Sequence, residues 1–368
     1  MNKTILYKRV ILLLLLFTGL HTMGQPYKKS RSVVKSFKVG EDTEILVKNK
    51  YGNIQLIAWD KDSVRFEIQV DVSAKKESKA NTNFENIDFD FVASEYYIEA
   101  KTTFAGEGSF WSDVKDKTNT VFTGENKTQI DYKIYLPSTS PIEIENKYGN
   151  IFATDHYGSI SIVLSNGDIK AHAFYGKTSI DLKFGFAKID LIAQGNLNLS
   201  YHSEIQLDKT DDLKIESRSS RIRIDQANRL EINSNRDKYY IKDVQVINAK
   251  ASYSYFEIQH LIEHITISGK YGDLDIKDLD NRVSRINFTY ENTDVSINKN
   301  ADQKLAIELI YDEKTGLYFS DELRNKITSK EDEEQKLVKT EGLLGDSNSP
   351  SIIIKGSMRA GSLRINDN

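Results

Sequence analysis

The chain has 368 residues and no cysteine, with 28% charged and 39% hydrophobic residues and 50 basic against 54 acidic side chains, a formal charge of -4. It is long and apolar enough to bury a sizeable core, which excludes general disorder. The lack of cysteine excludes disulfides, thiolate catalysis and Cys-ligated zinc or iron-sulfur sites, and the near-balanced charge gives no whole-chain footprint for nucleic acid.

Lys3, Lys8 and Arg9 precede the apolar run from Val10 to Phe17, and a small-residue boundary follows at Gly24 and Gln25. This is the order of a secretory signal peptide, so residues 1–24 are expected to be removed on export. No second hydrophobic span follows, and no transmembrane span is expected in the mature chain. Residues 25–137 alternate apolar and polar positions at Glu44 to Val47, Ile54 to Trp59, Val64 to Val72 and Phe89 to Phe104. A polar stretch from Ala74 to Asn86 suits a helix, and a long loop is expected around Phe110 and Trp111. Together they are expected to form a β-rich cap.

From 138 to 320 the sequence repeats. The apolar residue after each turn is Ile151, Ile169, Ala187, Ile205, Ile222, Tyr239, Phe256 or Leu274, at steps of 17 or 18 residues. A second column, two residues later, runs from Ala153 to Ile276. Columns seven and nine residues earlier include Ile144, Ile162, Ile180 and Ile215, with Asn196 and Asn198 in the same phase. Alternation of period two within each segment means strand. Recurrence of the pattern every 17 or 18 residues means that each segment stacks on its neighbours. Antiparallel hairpins have no reason to keep several columns in phase, so the expected fold is all-β, a parallel β-solenoid whose eight regular coils would rise roughly 40 Å at the strand spacing. Looser coils are expected around Val295 and Leu317. A charged helix or linker should follow at 321–350, and a final strand pair at 351–368 around Gly356 and Gly361.

Two residues before each origin stand Gly149, Gly167, Gly185, Ser203, Ser220, Asp237, Ser254 and Gly272. Such residues suit a tight corner because they tolerate positive φ or bond their own backbone. One position earlier stand Tyr148, Asn166, Phe184, His202, Ser219, Arg236, Tyr253 and Tyr271. Rings there would either stack on one another or form an exposed rail for sugar rings.

The units Asn49-Lys50-Tyr51-Gly52-Asn53-Ile54, Asn146-Lys147-Tyr148-Gly149-Asn150-Ile151 and Lys270-Tyr271-Gly272-Asp273-Leu274 resemble the repeats of exported bacterial putative-adhesin domains of unknown function, as does Asp131-Tyr132-Lys133-Ile134-Tyr135-Leu136-Pro137. The resemblance spans roughly 36 to 320. It implies an envelope or surface protein and offers no catalytic residues.

Several clusters invite chemistry. His260-Leu261-Ile262-Glu263-His264 matches a helical zinc-peptidase spelling, yet lies among strand columns that should turn His260 and His264 apart, so no metal is expected. His156 should be a partly buried corner residue, and His172 an outward one without a nucleophile partner. Asp273 and Asp275 head the densest carboxylate cluster and are the weak candidates for an acid and base pair; Asp211 and Asp212 are another acidic pair, without the repeats of calcium-binding solenoids. Arg218, Arg221, Arg223, Arg229 and Arg236 give the middle coils a basic character. The surface candidates are Tyr148, Phe184, Tyr253, Tyr271, Arg221 and Arg223. The expectation is an exported, non-catalytic, adhesin-like or envelope-associated module without cofactor, whose partner is a glycan or an envelope protein and not nucleic acid. The alternatives are a polysaccharide lyase or hydrolase using outer-face carboxylates, and an envelope-stress sensor.

Overall fold

A computed structural model describes residues 26–105, 126–344 and 352–367. The signal segment and the loop around Phe110 and Trp111 lie outside the described residues. The chain divides into two compact units. Among the described residues the smaller takes 26–32, Gln69–Asp88, 103–105 and 126–129. In it the helix Glu77–Glu85 buries Ala80, and the Arg31 guanidinium lies over the Phe84 ring at 5.2 Å. The larger comprises Val33–Ile68, Phe89–Thr102 and Ile130 onward. Among its described residues it is all-β apart from the four-residue helix Asp321–Arg324, and its strands form a mostly parallel ladder.

The central coils stack as the repeat predicts. Ile169–Lys183, Phe186–Ser200, Glu204–Arg218, Arg221–Asn235, Lys238–Ser252 and Tyr255–Lys270 each pair in parallel with the next. Like sits on like: Ile205 aligns with Ile222, Ile222 with Tyr239, and Tyr239 with Phe256. All are fully buried, and the rings of Tyr239 and Phe256 stack at 4.6 Å. Each coil thus supplies apolar area only in combination with its neighbours, which is why one repeat alone would not fold.

One phase assignment is overturned. Between Phe174 and Lys177 the register slips by one residue, so Leu197, not Asn198, faces Ile180. Leu197 and Leu199 are buried, and Asn196 and Asn198 are exposed. The missing residue is restored at the opposite corner, where Tyr201 and His202 both take positive φ. Because the two changes cancel, the period stays at 18 and hides the slip.

The corners also differ from expectation. Positive φ falls one residue before the glycine column, on Tyr148, Asn166, Phe184, His202, Ser219, Arg236, Tyr253 and Tyr271, all between 52° and 65°. Tyr51, Asn292 and Ala360 occupy the same place in further coils. The backbone N–H of these residues donates to the next coil, as in Tyr148 to Ser165 O at 3.0 Å and Arg236 to Ser252 O at 2.9 Å, so the ladder runs through the corner. The glycines serve close approach instead: a Cβ at Gly167 would lie 2.1 Å from Gly149 O. Beside them runs a staircase of side chains. Asp131 accepts from Asn53 N, Asn53 from Asn150 N, Asn150 from Asp168 N, and Asp168 from Phe186 N, at 2.8 to 3.0 Å. Where the glycines give way, buried Asp237 accepts from Ser217 and Ser234 hydroxyls and from Ser220 N and Asn235 N.

Both ends are interleaved. Residues 44–59, expected in the cap, form a coil of the stack: Ile45 aligns with Ile142 and Ile54 with Ile151. Outside them lie residues 97–101 and 132–137, with Ile98 on Ile45 and Tyr132 on Ile54. At the other end the last strand, Ile352–Asp367, inserts between two layers that are consecutive in the chain. Ile354 separates Ile286 from Ile307, and Leu363 separates Val295 from Leu317. The expected helix or linker at 321–350 holds, beyond Asp321–Arg324, a hairpin of Ile327–Asp332 and Leu337–Leu344, which pairs antiparallel with Leu305–Asp312. Its outer strand is almost wholly exposed and half of its residues are charged, which suits an edge and leaves no alternation to read.

Replacing Gly167 by Ala would press a methyl against the Gly149 carbonyl and is expected to cost about 1–3 kcal/mol. Asn166→Gly, at the positive-φ position beside it, should change stability little. Thermal unfolding of both variants checks this; equal losses would contradict the division of labour between the two columns.

Candidate functional site

Three stacked ring pairs mark the corner column. Tyr51 and Tyr148 stack at 5.6 Å, Phe184 and Tyr201 at 5.0 Å, and Tyr253 and Tyr271 at 5.0 Å. Stacking on one another and exposure coexist: Phe184 and Tyr201 are each 54% exposed, and Tyr253 and Tyr271 are exposed as well, whereas Tyr51 is buried. Cations accompany the rings, Lys147 over Tyr148, Arg236 over Tyr253 and Lys270 over Tyr271, at 5.3, 5.6 and 5.9 Å. Of the surface candidates, Tyr148, Phe184, Tyr253 and Tyr271 thus share one edge. A second exposed pair, Tyr157 and Tyr175, stacks at 4.6 Å on another corner.

Arg221 and Arg223 belong elsewhere. Both ion-pair with the single carboxylate of Glu204, and Arg223 also lies over the Tyr240 ring. Their charge is largely spoken for. Arg229 pairs with Asp212 at 3.8 Å, and Asp211 accepts from Asn228 at 2.9 Å, so the acidic pair is engaged as well.

The interruption of the aromatic column at Ser219 and Arg236 adjoins an open groove of about 600 Å³, a size within the range of small-ligand sites. Its lining includes Asn198, Ser200, Glu216, Arg218, Asn235 and Arg236. These stand on successive coils, Ser200 beside Arg218 and Arg218 beside Asn235. Glu216 is within 3.6 Å of Lys214, and Asn198 donates to Asp181 at 3.4 Å. Among the described residues no carboxylate ion-pairs with Arg218 or Arg236. Sequence reasoning missed this groove because it placed Asn198 inside the core.

Asp273 and Asp275 share the short strand Asp273–Ile276. Asp275 is held by Lys277 at 2.5 Å. Partial burial, then the neighbouring Asp294 and Asp275, raises the Asp273 carboxyl above the usual carboxylate range. The cluster extends to Glu257, which accepts from Tyr255 at 2.8 Å.

The histidines separate as the strand columns imply. The His260 ring lies near Asp243, Asp278 and Asp280 at 3.3, 3.5 and 3.7 Å. His264 falls in a different part of the ladder, aligned with Val246 and Arg285. Among the described residues no three His, Asp or Glu gather in a metal-binding arrangement. His172 is exposed between Asp155 and Asp190, and its bond to Asp155 raises its pKa. His156 is buried, and burial lowers its pKa.

No family model matches the chain, and no curated protein matches it by sequence. Solved structures do. A putative cell adhesion protein of Clostridium sporogenes is 9% identical, over 92% of this chain and 100% of that one, at a TM-score of 0.21. A putative lipid binding protein of Parabacteroides distasonis is 12% identical over 73% and 92%, at 0.30. A putative adhesin of Bacteroides fragilis is 9% identical over 91% and 97%, at 0.25. Two of the three carry adhesion names, and at these TM-scores the likeness assigns this chain no ligand or activity. Among the described residues no helix is long and apolar enough to cross a membrane.

The raised Asp273 gives a pH signature. The folded chain holds this proton more tightly than the unfolded chain, so ionisation of Asp273 opposes folding, fully above its raised pKa and not at all below the ordinary one. Asp273→Asn should therefore raise the melting midpoint at pH 7, with the gain shrinking as pH falls and vanishing below about pH 4. Melting curves of both proteins across pH 3–8 check this; a pH-independent difference would contradict it.

Proposed function

We propose that the protein is an exported, non-catalytic binding module, adhesin-like or associated with the cell envelope, that uses one corner of its solenoid as a repetitive contact surface. Export rests on the order of basic, apolar and small residues in 1–24. The observation that carries the binding role is the half-exposed ring pairs Phe184–Tyr201 and Tyr253–Tyr271, set along one edge by the left-handed corners. A bulky residue in that conformation costs roughly 1–2 kcal/mol, whereas a ring pair returns about 0.5–1.5 kcal/mol beyond its area. Stability alone therefore gives little reason to place rings there. Rings at fixed spacing suit a glycan or a repetitive protein surface, where many weak contacts add.

The polysaccharide-cleaving alternative draws on the raised Asp273 beside Asp275. Asp275 is already engaged by Lys277, and the groove lies on other coils, so binding is the better-supported reading.

The test is a screen of the mature chain against glycans and envelope proteins beside a turnover assay on acidic polysaccharides. Asparagine tolerates the corner conformation, so Phe184→Asn and Tyr253→Asn should keep the melting midpoint within about 1 kcal/mol equivalent of wild type. Each should weaken binding several-fold. Full binding by both variants would remove the corner from the interface, and turnover that disappears with Asp275→Asn would replace binding by catalysis.

A further inference from the structure

We infer that the groove at Arg218 and Arg236 binds an acidic polysaccharide, one whose sugar residues carry carboxylates. This rests on the binding role proposed above and names its ligand. The starting point is charge. In a chain of net charge -4, Arg221, Arg223 and Arg229 each have a carboxylate partner, yet Arg218 and Arg236 line one groove and, among the described residues, ion-pair with none. They are close neighbours: Arg218 aligns with Asn235 on the next coil, and Arg236 follows Asn235. The one carboxylate in the groove, Glu216, has the Lys214 ammonium 3.6 Å away, a cation that Glu231 approaches at 4.0 Å. Arg236 lies over the Tyr253 ring, which leaves the edge of its guanidinium without a carboxylate, and Arg218 has none either; the planar forks of both match a carboxylate from outside.

The rest of the lining selects the kind of anion. Asn198, Ser200 and Asn235 offer donors and acceptors together, which suits hydroxyl groups. Glu216 can accept from a sugar hydroxyl, a group that a purely anionic chain such as polyphosphate lacks. The residues recur at the interstrand spacing of about 4.8 Å, close to the length of one pyranose unit, so neighbouring coils can take neighbouring sugars. The exposed rings of Tyr201 and Tyr253 stand on the same corner, on coils either side of Ser219 and Arg236, and can take the apolar faces of sugars beyond the groove.

The experiment measures binding of the mature chain to polygalacturonate, to alginate, to neutral dextran and to polyphosphate, at low and at raised salt. The variants are Arg218→Gln and Arg236→Asn, the latter keeping the corner conformation, with Arg221→Gln as a control and melting curves for all. Polygalacturonate or alginate should bind, more weakly as salt rises, and dextran much less. Each groove variant should weaken binding about tenfold or more, and the control should stay within twofold. Acidic-glycan binding that survives both groove variants overturns the inference, as does a preference for polyphosphate. Dextran binding equal to that of the acidic glycans, lost with Phe184→Asn, would overturn the acidic ligand and leave the binding module standing. No glycan binding of any kind would overturn this inference, while retention of an envelope protein through the ring pairs would preserve the broader role.

Discussion

The structure depends on a hydrogen-bond ladder that does not stop at the corner. In most strand-turn-strand units the turn is free to choose its own bonds. Here each corner N–H must reach the carbonyl of the coil stacked against it, and the left-handed conformation at Tyr148, Phe184, Arg236 and their equivalents is what allows it. From this follow the glycines that come next at Gly149, Gly167, Gly185 and Gly272, because a Cβ at any of them would strike the preceding corner. The Asp131, Asn53, Asn150 and Asp168 staircase follows too, since side chains one step along are in register to receive the next backbone N–H. Similar corners are thereby stacked at the interstrand distance, and a surface property written once in the repeat is displayed many times.

That regularity is what makes departures from it informative. The corner column changes from rings to Ser219 and Arg236 in the middle coils, where Asn235 and, from the coil before, Asn198 line the groove. The slip between Phe174 and Lys177 supplies Asn198 to the surface, and the doubled left-handed corner at Tyr201 and His202 returns the chain to phase. An irregularity in packing and a candidate ligand site thus arise from the same one-residue adjustment.

Much of the fold was legible in the sequence because each period contributes one apolar residue to each buried column, and Ile205, Ile222, Tyr239 and Phe256 had to be stacked for their faces to be dry. The misreadings have a common physical origin. Asn196 and Asn198 were misplaced because two compensating changes leave a period intact. The glycines were given the wrong role because a steric need and a conformational need both select small residues, and only coordinates tell them apart. The final hairpin escaped notice because an edge strand such as Ile327–Asp332, paired on one side and solvated elsewhere, has no reason to alternate. Within the site, ring positions were visible as a column, whereas the unpaired state of Arg218 depends on where carboxylates from other coils fall.

The interleaved ends bear on how the molecule can be completed and how its length can vary. The coil at 44–59 gains its neighbours only after residues 97–101, 132–137 and 142–153 exist, and Arg285–Lys299 and Leu305–Asp312, though successive, stay apart until Ile352–Asp367 arrives to fill the space between them. Assembly therefore cannot simply follow synthesis from one terminus to the other; it closes like a clasp at each extremity after the middle is laid down. Evolution is constrained in the same way, since whole coils can be added or removed between the clasps without disturbing them.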